Sequence, residues 1–526
     1  MKGGGLRQSM AWIHTWLGLL AGWLLFAMFL TGTASYFRPE ITRWMQPELR
    51  PVAAPPAQAA ASAVRWLQAN GAHDEQWTIF LPDDRTTATR IFQRARPPAD
   101  GSKPPRKPEV RLDPASGQPI AARDTKGGEH FYRFHFQLQL PHPWGRWLAG
   151  LAALFMLGAI VSGVITHRRI FADFFTLRWN KGQRSWLDAH NASAVLALPF
   201  HAMITYTGLI TLIVMYMPWP IAANYSSPSA FSDSLSGIED AGKATGQPGR
   251  LVAVAPLVAR AQGEWGGRAA QIVIRNPDDS ASTVTVRRTS ADTLNARGAF
   301  VTYGGIDGRR IAGSSAAGPA AQTAGVMLGL HLGHFAGPAL RWVYFLLGLT
   351  GAAMVATGLL LWTSKRLTIG ERPALGYRIV ERLNIGVVAC LPAGMAAFLL
   401  ANRLLPADLA GRAAIEVATM FWVWFGLAAL QLARPVRRAW IETLTIAALA
   451  FAAVPLVNAA TTDRGLLRSA IDGDGLFVAF DIVMLSAAAL LGFAARKAHA
   501  HVGVAKTRAV RRRRRGQAAQ ELADAA

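Results

Sequence analysis

The sequence predicts a polytopic α-helical membrane protein that carries two small α+β modules outside the lipid. The chain of 526 residues is 51% hydrophobic and only 17% charged, and its mean hydropathy is +0.21. Several apolar runs are long enough to cross a bilayer, which takes about 20 residues of helix. We therefore expect about eight spanning helices, near residues 11–37, 145–167, 189–217, 338–363, 381–401, 413–433, 440–460 and 476–495.

The distribution of charge predicts the orientation. Much of the net charge of +23 comes from Lys and Arg in loops 168–187 and 364–380 and in the turn "RPVRR", all on the side of both termini. Because cytoplasmic loops are enriched in Lys and Arg, both termini are expected in the cytoplasm, with 38–144 and 218–337 in the periplasm of a bacterial inner membrane. The run Arg511–Arg515 fits an anionic lipid surface better than RNA, so we expect membrane lipids and no nucleic acid as partners.

The first apolar run, 11–37, follows Lys2 and Arg7 and is too long for the core of a signal peptide, so we interpret it as a retained helix. The predicted boundaries are 1–37 for the first helix, 38–144 for the first module, 145–217 for helices two and three, 218–337 for the second module, 338–366 for helix four, 367–496 for helices five to eight, and 497–526 for a basic cytoplasmic tail.

Both periplasmic segments show the same order of elements. In the first, the helical pattern "AQAAASAVRWLQAN" precedes the strand patterns "QWTIFLP", "ATRIFQRAR" and "EVRLDPASGQPI". In the second, "LVAVAPLVARAQGEW" precedes "AAQIVIRNP", "STVTVRRT" and "GAFVTYGGIDGRRIAG". One helix followed by a few strands, twice, predicts paired α+β modules.

Matched motifs indicate an internal duplication of the first four helices. The pairs are His14 and His190, Thr31-Gly32 and Thr207-Gly208, Arg146-Trp147 and Arg341-Trp342, and Ser162-Gly163 and Thr357-Gly358. The first two pairs share one sequence offset of 176 residues. We therefore expect two copies of a unit of helix, module and helix, to which helices five to eight are an addition.

Histidines lie at two depths of the predicted bundle. Those near the cytoplasmic side are His14, His167 and His190, and those that are deeper or on the outer side are His201, His331 and His334, while His135 and His142 precede helix two. His190 and His201 are 11 residues apart, which is about 16 Å and three turns of continuous helix, so they are expected to share one face. Pro199 between them predicts a kink.

Two levels of histidine are typical of a membrane protein with two haem b groups, because neutral imidazole is a common axial ligand of haem iron. The single cysteine, Cys390, excludes disulfides and cysteine-ligated clusters. We expect the inner ligand pair to come from His14, His167 and His190. For the outer haem we expect His201 with His331, and His334 is the substitute.

Other residues have two interpretations each. Gly18, Gly22 and further glycines could make room for a macrocycle or allow close helix packing. Arg146 and Arg341, at the outer ends of helices two and four, could pair with haem propionates or serve as interfacial anchors.

A proton relay is the rival interpretation of the histidines. Relays usually include Asp or Glu, and the first four helices contain almost none apart from Asp188 at an edge. Glu416, Glu442 and Asp481 lie near the ends of the later helices, where their carboxylates are expected to reach the interface.

The motifs "HTWLGLLAGWLLFAMFLTG", "HNASAVLALPFHAMITYTG" and "GLHLGHFAGPALRWVYFLLGLTGAAMVATGLLLW" resemble the PepSY-associated transmembrane family over about residues 8–366. The resemblance implies an iron-regulated inner-membrane protein of the kind that includes di-haem ferric-siderophore reductases. It also implies His14, His167, His190, His201 and His331 as the motif histidines.

The hypothesis is therefore a protein that transfers electrons across the membrane from the inner to the outer haem, reduces periplasmic ferric siderophore and releases Fe(II). No G-x-G-x-x-G motif of a nucleotide-binding domain occurs, so a quinol or a separate reductase is expected as electron donor. Two other functions stay open: an iron or siderophore permease that uses the intramembrane histidines, and a non-catalytic regulatory protein that acts through its modules.

Overall fold

The computed structural model describes residues 5–98, 107–167, 176–227, 244–314, 318–366 and 374–524, apart from 51, 53 and 180, and in addition residues 102, 104 and 230–231, with side chains up to residue 500. The described helices are α1 (Leu6–Ser35), α2 (Arg38–Met45), α3 (Pro56–Asn70), α4 (Gly127–Gln137), α5 (Trp144–Thr166), α6 (Gln183–Leu196), α7 (Leu198–Thr211), α8 (Ile213–Tyr216), α9 (Trp219–Asn224), α10 (Val254–Trp265), α11 (Pro319–Leu332), α12 (Pro338–Arg366), α13 (Leu375–Asn384), α14 (Cys390–Leu404), α15 (Arg412–Leu432), α16 (Val436–Thr461), α17 (Leu466–Ile471) and α18 (Gly475–Asp524). A π-helical turn, Ile385–Ala389, joins α13 to α14.

The spanning helices confirm a polytopic membrane protein. Among the described residues, seven helical stretches are long and apolar enough to cross a bilayer, and the bent pair of α6 and α7 makes an eighth if it counts as one span. The seven are α1, α5, α12, α13 continued through α14, α15, α16 and the first half of α18.

The third span is broken, which corrects the geometry expected from its sequence. The axes of α6 and α7 differ by 68°, and the break falls at Ala197, two residues before Pro199. Proline is tolerated in the first turn of a helix but not in its interior, so the chain starts a new helix there. The predicted kink is confirmed, but His190 and His201 lie on different helices and do not share one face.

The strands of both modules form one antiparallel sheet in the order β3-β2-β1-β4-β5-β6-β7. The strands are β1 (Asp74–Phe80), β2 (Thr89–Ala95), β3 (Val110–Leu112), β4 (Ala269–Arg275), β5 (Thr283–Arg288), β6 (Phe300–Gly304) and β7 (Arg310–Gly313). β1 of the first module pairs with β4 of the second, which places Trp77 opposite Ile274. This pairing removes two free strand edges, and the sequence did not predict it.

One face of the sheet holds the core of the modules. Ile79, Ile91 and Ile272 are fully buried there under α3 and α10. Because side chains alternate along a strand, the intervening residues face the other way, toward the helical bundle. We call the end of the bundle below the sheet the module side and the opposite end the far side.

The later helices, α13 to α18, hold the segment that leads from α1 into the first module. Trp44 of α2 is fully buried, stacks on Phe480 with ring centroids 4.2 Å apart, and has the Arg403 guanidinium 3.8 Å from its ring centroid. Arg403 also donates to Asn458 Oδ1 at 2.9 Å, so three of the later helices meet at this point. The added helices therefore anchor the module side of the bundle.

Two carboxylates of these helices correct a sequence expectation. Glu416 and Asp481 are fully buried and do not reach the interface. Glu416 pairs with Arg412, which is also fully buried, and Asp481 accepts from Asn458 Nδ2 at 3.4 Å. Only Glu442 behaves as expected, at a partly exposed position 3.4 Å from an arginine.

Candidate functional site

Two histidines from equivalent positions of the duplicated unit meet at the far side. His14 of α1 and His190 of α6 have ring centroids 6.1 Å apart. His14 Nδ1 lies 2.8 Å from the carbonyl oxygen of Ala159, and His190 Nδ1 lies 2.8 Å from that of Met354. Each ring is thus held by the backbone of the second spanning helix of its own half.

A second pair lies at the module side. His135 of α4 and His331 of α11 also have ring centroids 6.1 Å apart, with ring planes 33° from parallel. His135 Nδ1 lies 2.7 Å from the carbonyl oxygen of Met28, and His331 Nδ1 lies 3.0 Å from that of Ile204. Burial lowers the pKa of His331 to about 3 and also lowers the pKa of His135, so both rings are neutral at pH 7.

All four rings are seated in the same way. Each ring packs against a helix through two features. A backbone carbonyl of the helix accepts from Nδ1, and the residue four positions later is a glycine that is preceded by Ser or Thr. The carbonyl and glycine pairs are Ala159 and Gly163, Met354 and Gly358, Met28 and Gly32, and Ile204 and Gly208. A Cβ atom on these glycines would lie only 2.5 to 3.1 Å from an imidazole atom. Glycine is therefore required for the close approach of the ring to the helix.

This seating determines the tautomer of each imidazole. A carbonyl oxygen can only accept, so each Nδ1 donates its hydrogen, and the neutral ring keeps an unshared electron pair on Nε2. The backbone partner also fixes the orientation of the ring, as the outer hydrogen bond of a metal-bound histidine does. Nδ1 of all four side chains is therefore occupied by the backbone, and Nε2 is the nitrogen that could bind a metal.

The spacing within both pairs fits a metal between two axial imidazoles. Two metal–nitrogen bonds of about 2 Å place the ring centroids about 6 Å apart, since each centroid lies about 1 Å beyond its bonded nitrogen. In the part of the chain that the structure describes, no group of three or more His, Cys, Asp or Glu side chains could hold a metal ion. Two protein ligands suffice where a macrocycle supplies the others, so the residues fit haem.

The family described as PepSY-associated TM region matches residues 11–365. The chain belongs to this family. The match confirms the resemblance found in the motifs, contains both histidine pairs and ends before α13. A relative, Uncharacterized protein PA4219 of Pseudomonas aeruginosa, is 27% identical over 334 residues, which cover 59% of this chain and 82% of the relative.

In this PepSY-associated transmembrane protein, His201 does not lie where the sequence suggested. The structure brings His331 to His135, whereas His201 is 1% exposed and stacks edge-on against Phe29 with ring centroids 5.8 Å apart. Its Nε2 lies 3.4 Å from Thr350 Oγ1. The reason is the break before Pro199, which separates His201 from the direction of α6.

The remaining predicted histidines lie beside the pairs. Of the three inner candidates, His14 and His190 form the ring pair, and His167, at the end of α5, has its Nε2 3.1 Å from the Asn191 side chain. His334 Nδ1 is 3.2 Å from Ser290 Oγ, in the same cavity as the module-side pair.

The two arginines at the module side are already engaged with protein groups. Arg146 packs on the Phe136 ring at 5.1 Å and lies 3.4 Å from Gln137 Oε1. Arg341 is 3.3 Å from a Glu40 carboxylate oxygen and donates to a backbone carbonyl at 2.8 Å. Each keeps a buried Nε–H without a protein partner. Pairing of these groups with propionates stays a prediction.

His135 is the candidate ligand that sequence reasoning did not select. Its position before helix two was recognised, but it lies outside the apolar run and has no counterpart at the offset of 176 residues. The sequence feature that could have identified His135 is the matched pair Thr31-Gly32 and Thr207-Gly208. The His135 ring packs against the first of these and the His331 ring against the second. Four Ser/Thr-Gly pairs of the spanning helices pack against an imidazole, whereas a fifth, Thr350-Gly351, packs against the Phe29 ring.

A cavity of 1430 Å³ separates the sheet from the bundle. His135 and His331 line its floor together with Gly32 and Gly208, and strand residues such as Arg90 line its roof. The described residues that line it include eleven Arg and Lys side chains and only four Asp and Glu side chains. The module-side pair therefore faces a large, positively charged space.

Proposed function

We propose that this protein is a transmembrane reductase of the bacterial inner membrane that binds two haem b groups and reduces ferric siderophore in the periplasm. The observation that carries the proposal is the repetition of one histidine pair at two depths, with the same centroid distance of 6.1 Å. Bound haem would supply a one-electron redox couple at each level.

The protein residues determine which chemistry such a group can perform. His14 with His190 and His135 with His331 would hold the two haems, and ligation by two histidines would favour electron transfer over binding of a small ligand. The backbone carbonyls that accept from His14, His190, His135 and His331 would hold the rings in place when the haem iron changes its charge. A fixed ligand set limits reorganisation, as electron transfer requires.

The acceptor site of the proposal is the cavity above the module-side pair. It is bounded by the sheet and is large enough for a chelate, since typical ligand pockets measure about 300–1,000 Å³. Reduction would release the metal, because hard oxygen ligands hold Fe(III) far more tightly than Fe(II). A quinol or a separate reductase would donate electrons at the far side.

The first experiment is a reduced-minus-oxidised absorption spectrum of the purified full chain in detergent, with the haem content measured per chain. We expect two haems per chain and two low-spin signals. His14→Ala should remove the far-side signal, and His135→Ala should remove the module-side signal. His201→Ala, as the matched control, should retain both.

The second experiment adds a ferric siderophore to the chemically reduced protein and traps Fe(II) with ferrozine. Oxidation of the protein together with formation of the Fe(II) complex supports the reductase. A colourless protein that binds and moves iron would support a permease instead, and a colourless protein without iron binding would support a regulatory role.

A further inference from the structure

We propose that the roof of the cavity is an anion-binding subsite that selects ferric chelates with net negative charge, such as carboxylate-bearing chelates, over cationic ones. The inference rests on the proposed function, because it names the class of chelate that the same cavity accepts. It is carried by a row of residues that crosses both modules.

The row runs straight across five neighbouring strands. Arg111 of β3 lies opposite Arg90 of β2, Arg90 lies opposite Phe80 of β1, Phe80 lies opposite Gln271 of β4, and Gln271 lies opposite Arg287 of β5. All five side chains line the cavity. The row exists only because the two modules share one sheet, so the subsite belongs to the joined structure and to neither module alone.

The ends of the row are cationic and its centre is aromatic. The Arg90 guanidinium lies 5.5 Å from the centroid of Phe80, so the aromatic centre is flanked by charge. Guanidinium groups bind carboxylates through two parallel hydrogen bonds, and an aromatic ring packs against the organic part of a ligand. This combination fits a compact organic anion.

The charge at one end of the row is not neutralised by the protein. Arg90 and Arg111 share Glu109, at 2.8 and 3.2 Å, and so have one carboxylate between them. Arg287, by contrast, forms no ion pair with a described carboxylate: its guanidinium lies 5.7 Å from the Phe300 ring centroid, and the nearby charge that acts on it is another cation, Arg275. Burial lowers the pKa of Arg287, so this cation is poorly solvated. An anionic ligand would supply the missing partner.

Carboxylates that reach this row could come from the chelate or from haem propionates, and the test must separate the two sources. Gallium(III) replaces iron(III) in chelates but is not reduced, so binding can be measured without any electron transfer. Equilibrium dialysis of the haem-loaded protein, with gallium counted by mass spectrometry, would compare gallium citrate, an anion, with gallium desferrioxamine B, a cation.

We expect gallium citrate to bind at least about tenfold more tightly than the cationic chelate. Arg287→Gln should weaken citrate binding by about tenfold, and Arg287→Lys should restore most of it. Arg250→Gln removes the same charge from an exposed residue outside the cavity and should change nothing.

Three results would overturn the proposal: equal affinity for both chelates, unchanged citrate binding in the Arg287→Gln protein, or loss of haem from that variant with citrate binding intact. The last result would assign the row to propionates. Selective gallium binding by a protein that reduces no ferric chelate would support the subsite and count against the reductase, so the two proposals fail separately.

Discussion

Replacement of Gly32 by alanine should remove the module-side haem and leave the far-side haem in place. A Cβ on residue 32 would lie 2.5 Å from His135 Nδ1 and 2.7 Å from its Cε1. Because non-bonded contacts need about 3.5 Å, the ring must move by about 1 Å. Metal–ligand distances tolerate only about 0.2 Å, so His135 would no longer reach an axial position.

The chain offers a graded control series for this prediction. A Cβ on Gly163 would lie 3.0 Å from His14, so Gly163→Ala should shift that ring by only a few tenths of an ångström and weaken the far-side ligation without abolishing it. Gly18, on the same helix as Gly32, has no atom within 4 Å of an added Cβ, and Gly18→Ala should be silent.

Haem content per chain and electron paramagnetic resonance at low temperature would measure the result. The Gly32→Ala protein should fall from about two haems to about one, or should convert one low-spin signal to high-spin, while the retained far-side signal shows that the bundle is folded. The reasoning is refuted if this variant keeps two low-spin haems, or if Gly18→Ala loses haem equally.

Three further predictions concern other parts of the molecule. His201→Ala should keep both low-spin signals, whereas the sequence alone predicts loss of the outer one; the spectrum of the variant decides between them. Haem titration of the apoprotein should show an affinity at the module-side pair that falls less between pH 8 and 5 than two ordinary histidines would allow, because burial lowers the pKa of His331 to about 3 and also lowers the pKa of His135. A histidine with the ordinary pKa of about 6.5 would be only about 3% neutral at pH 5, and its affinity would fall about 30-fold. Glu416→Gln should destabilise the bundle by about 3–5 kcal/mol, since it removes the carboxylate that pairs with the fully buried Arg412, and a lower midpoint of thermal unfolding would reveal this.

The spans and strands could be predicted because each is a local pattern. Apolar length predicts a spanning helix, alternation predicts a strand, and Pro199 predicts a kink in the third span, although not its size of 68°. The shared sheet could not be predicted in this way, because the pairing of β1 with β4 joins strands almost 200 residues apart. Nothing in either strand alone distinguishes an edge that stays free from one that finds a partner.

The candidate site likewise contains residues that the sequence could predict and residues that it could not. His14 and His190 occupy equivalent positions of the repeat, so the repeat itself pointed to them. The selection of His201 relied on the geometry of a straight helix, and a bend of 68° removed the basis for it. His135 lies on the short helix α4, whose packing against α1 is a tertiary contact. In the sequence, this contact is indicated only by Thr31-Gly32, the residues of α1 against which the His135 ring packs.

The choice of a backbone carbonyl as the partner of each imidazole explains a feature of the composition. Many metal-bound histidines donate to a carboxylate, but a carboxylate buried in lipid is costly unless it is paired. A helix carbonyl supplies the same orienting hydrogen bond without a charge, and glycine four residues later supplies the space. The first four spans can therefore hold two pairs of oriented histidines with almost no Asp or Glu, and duplication of one helix–module–helix unit supplies both levels at once. On this argument the scarcity of acidic residues, which speaks against a proton relay, follows from the way in which the backbone holds the four histidines.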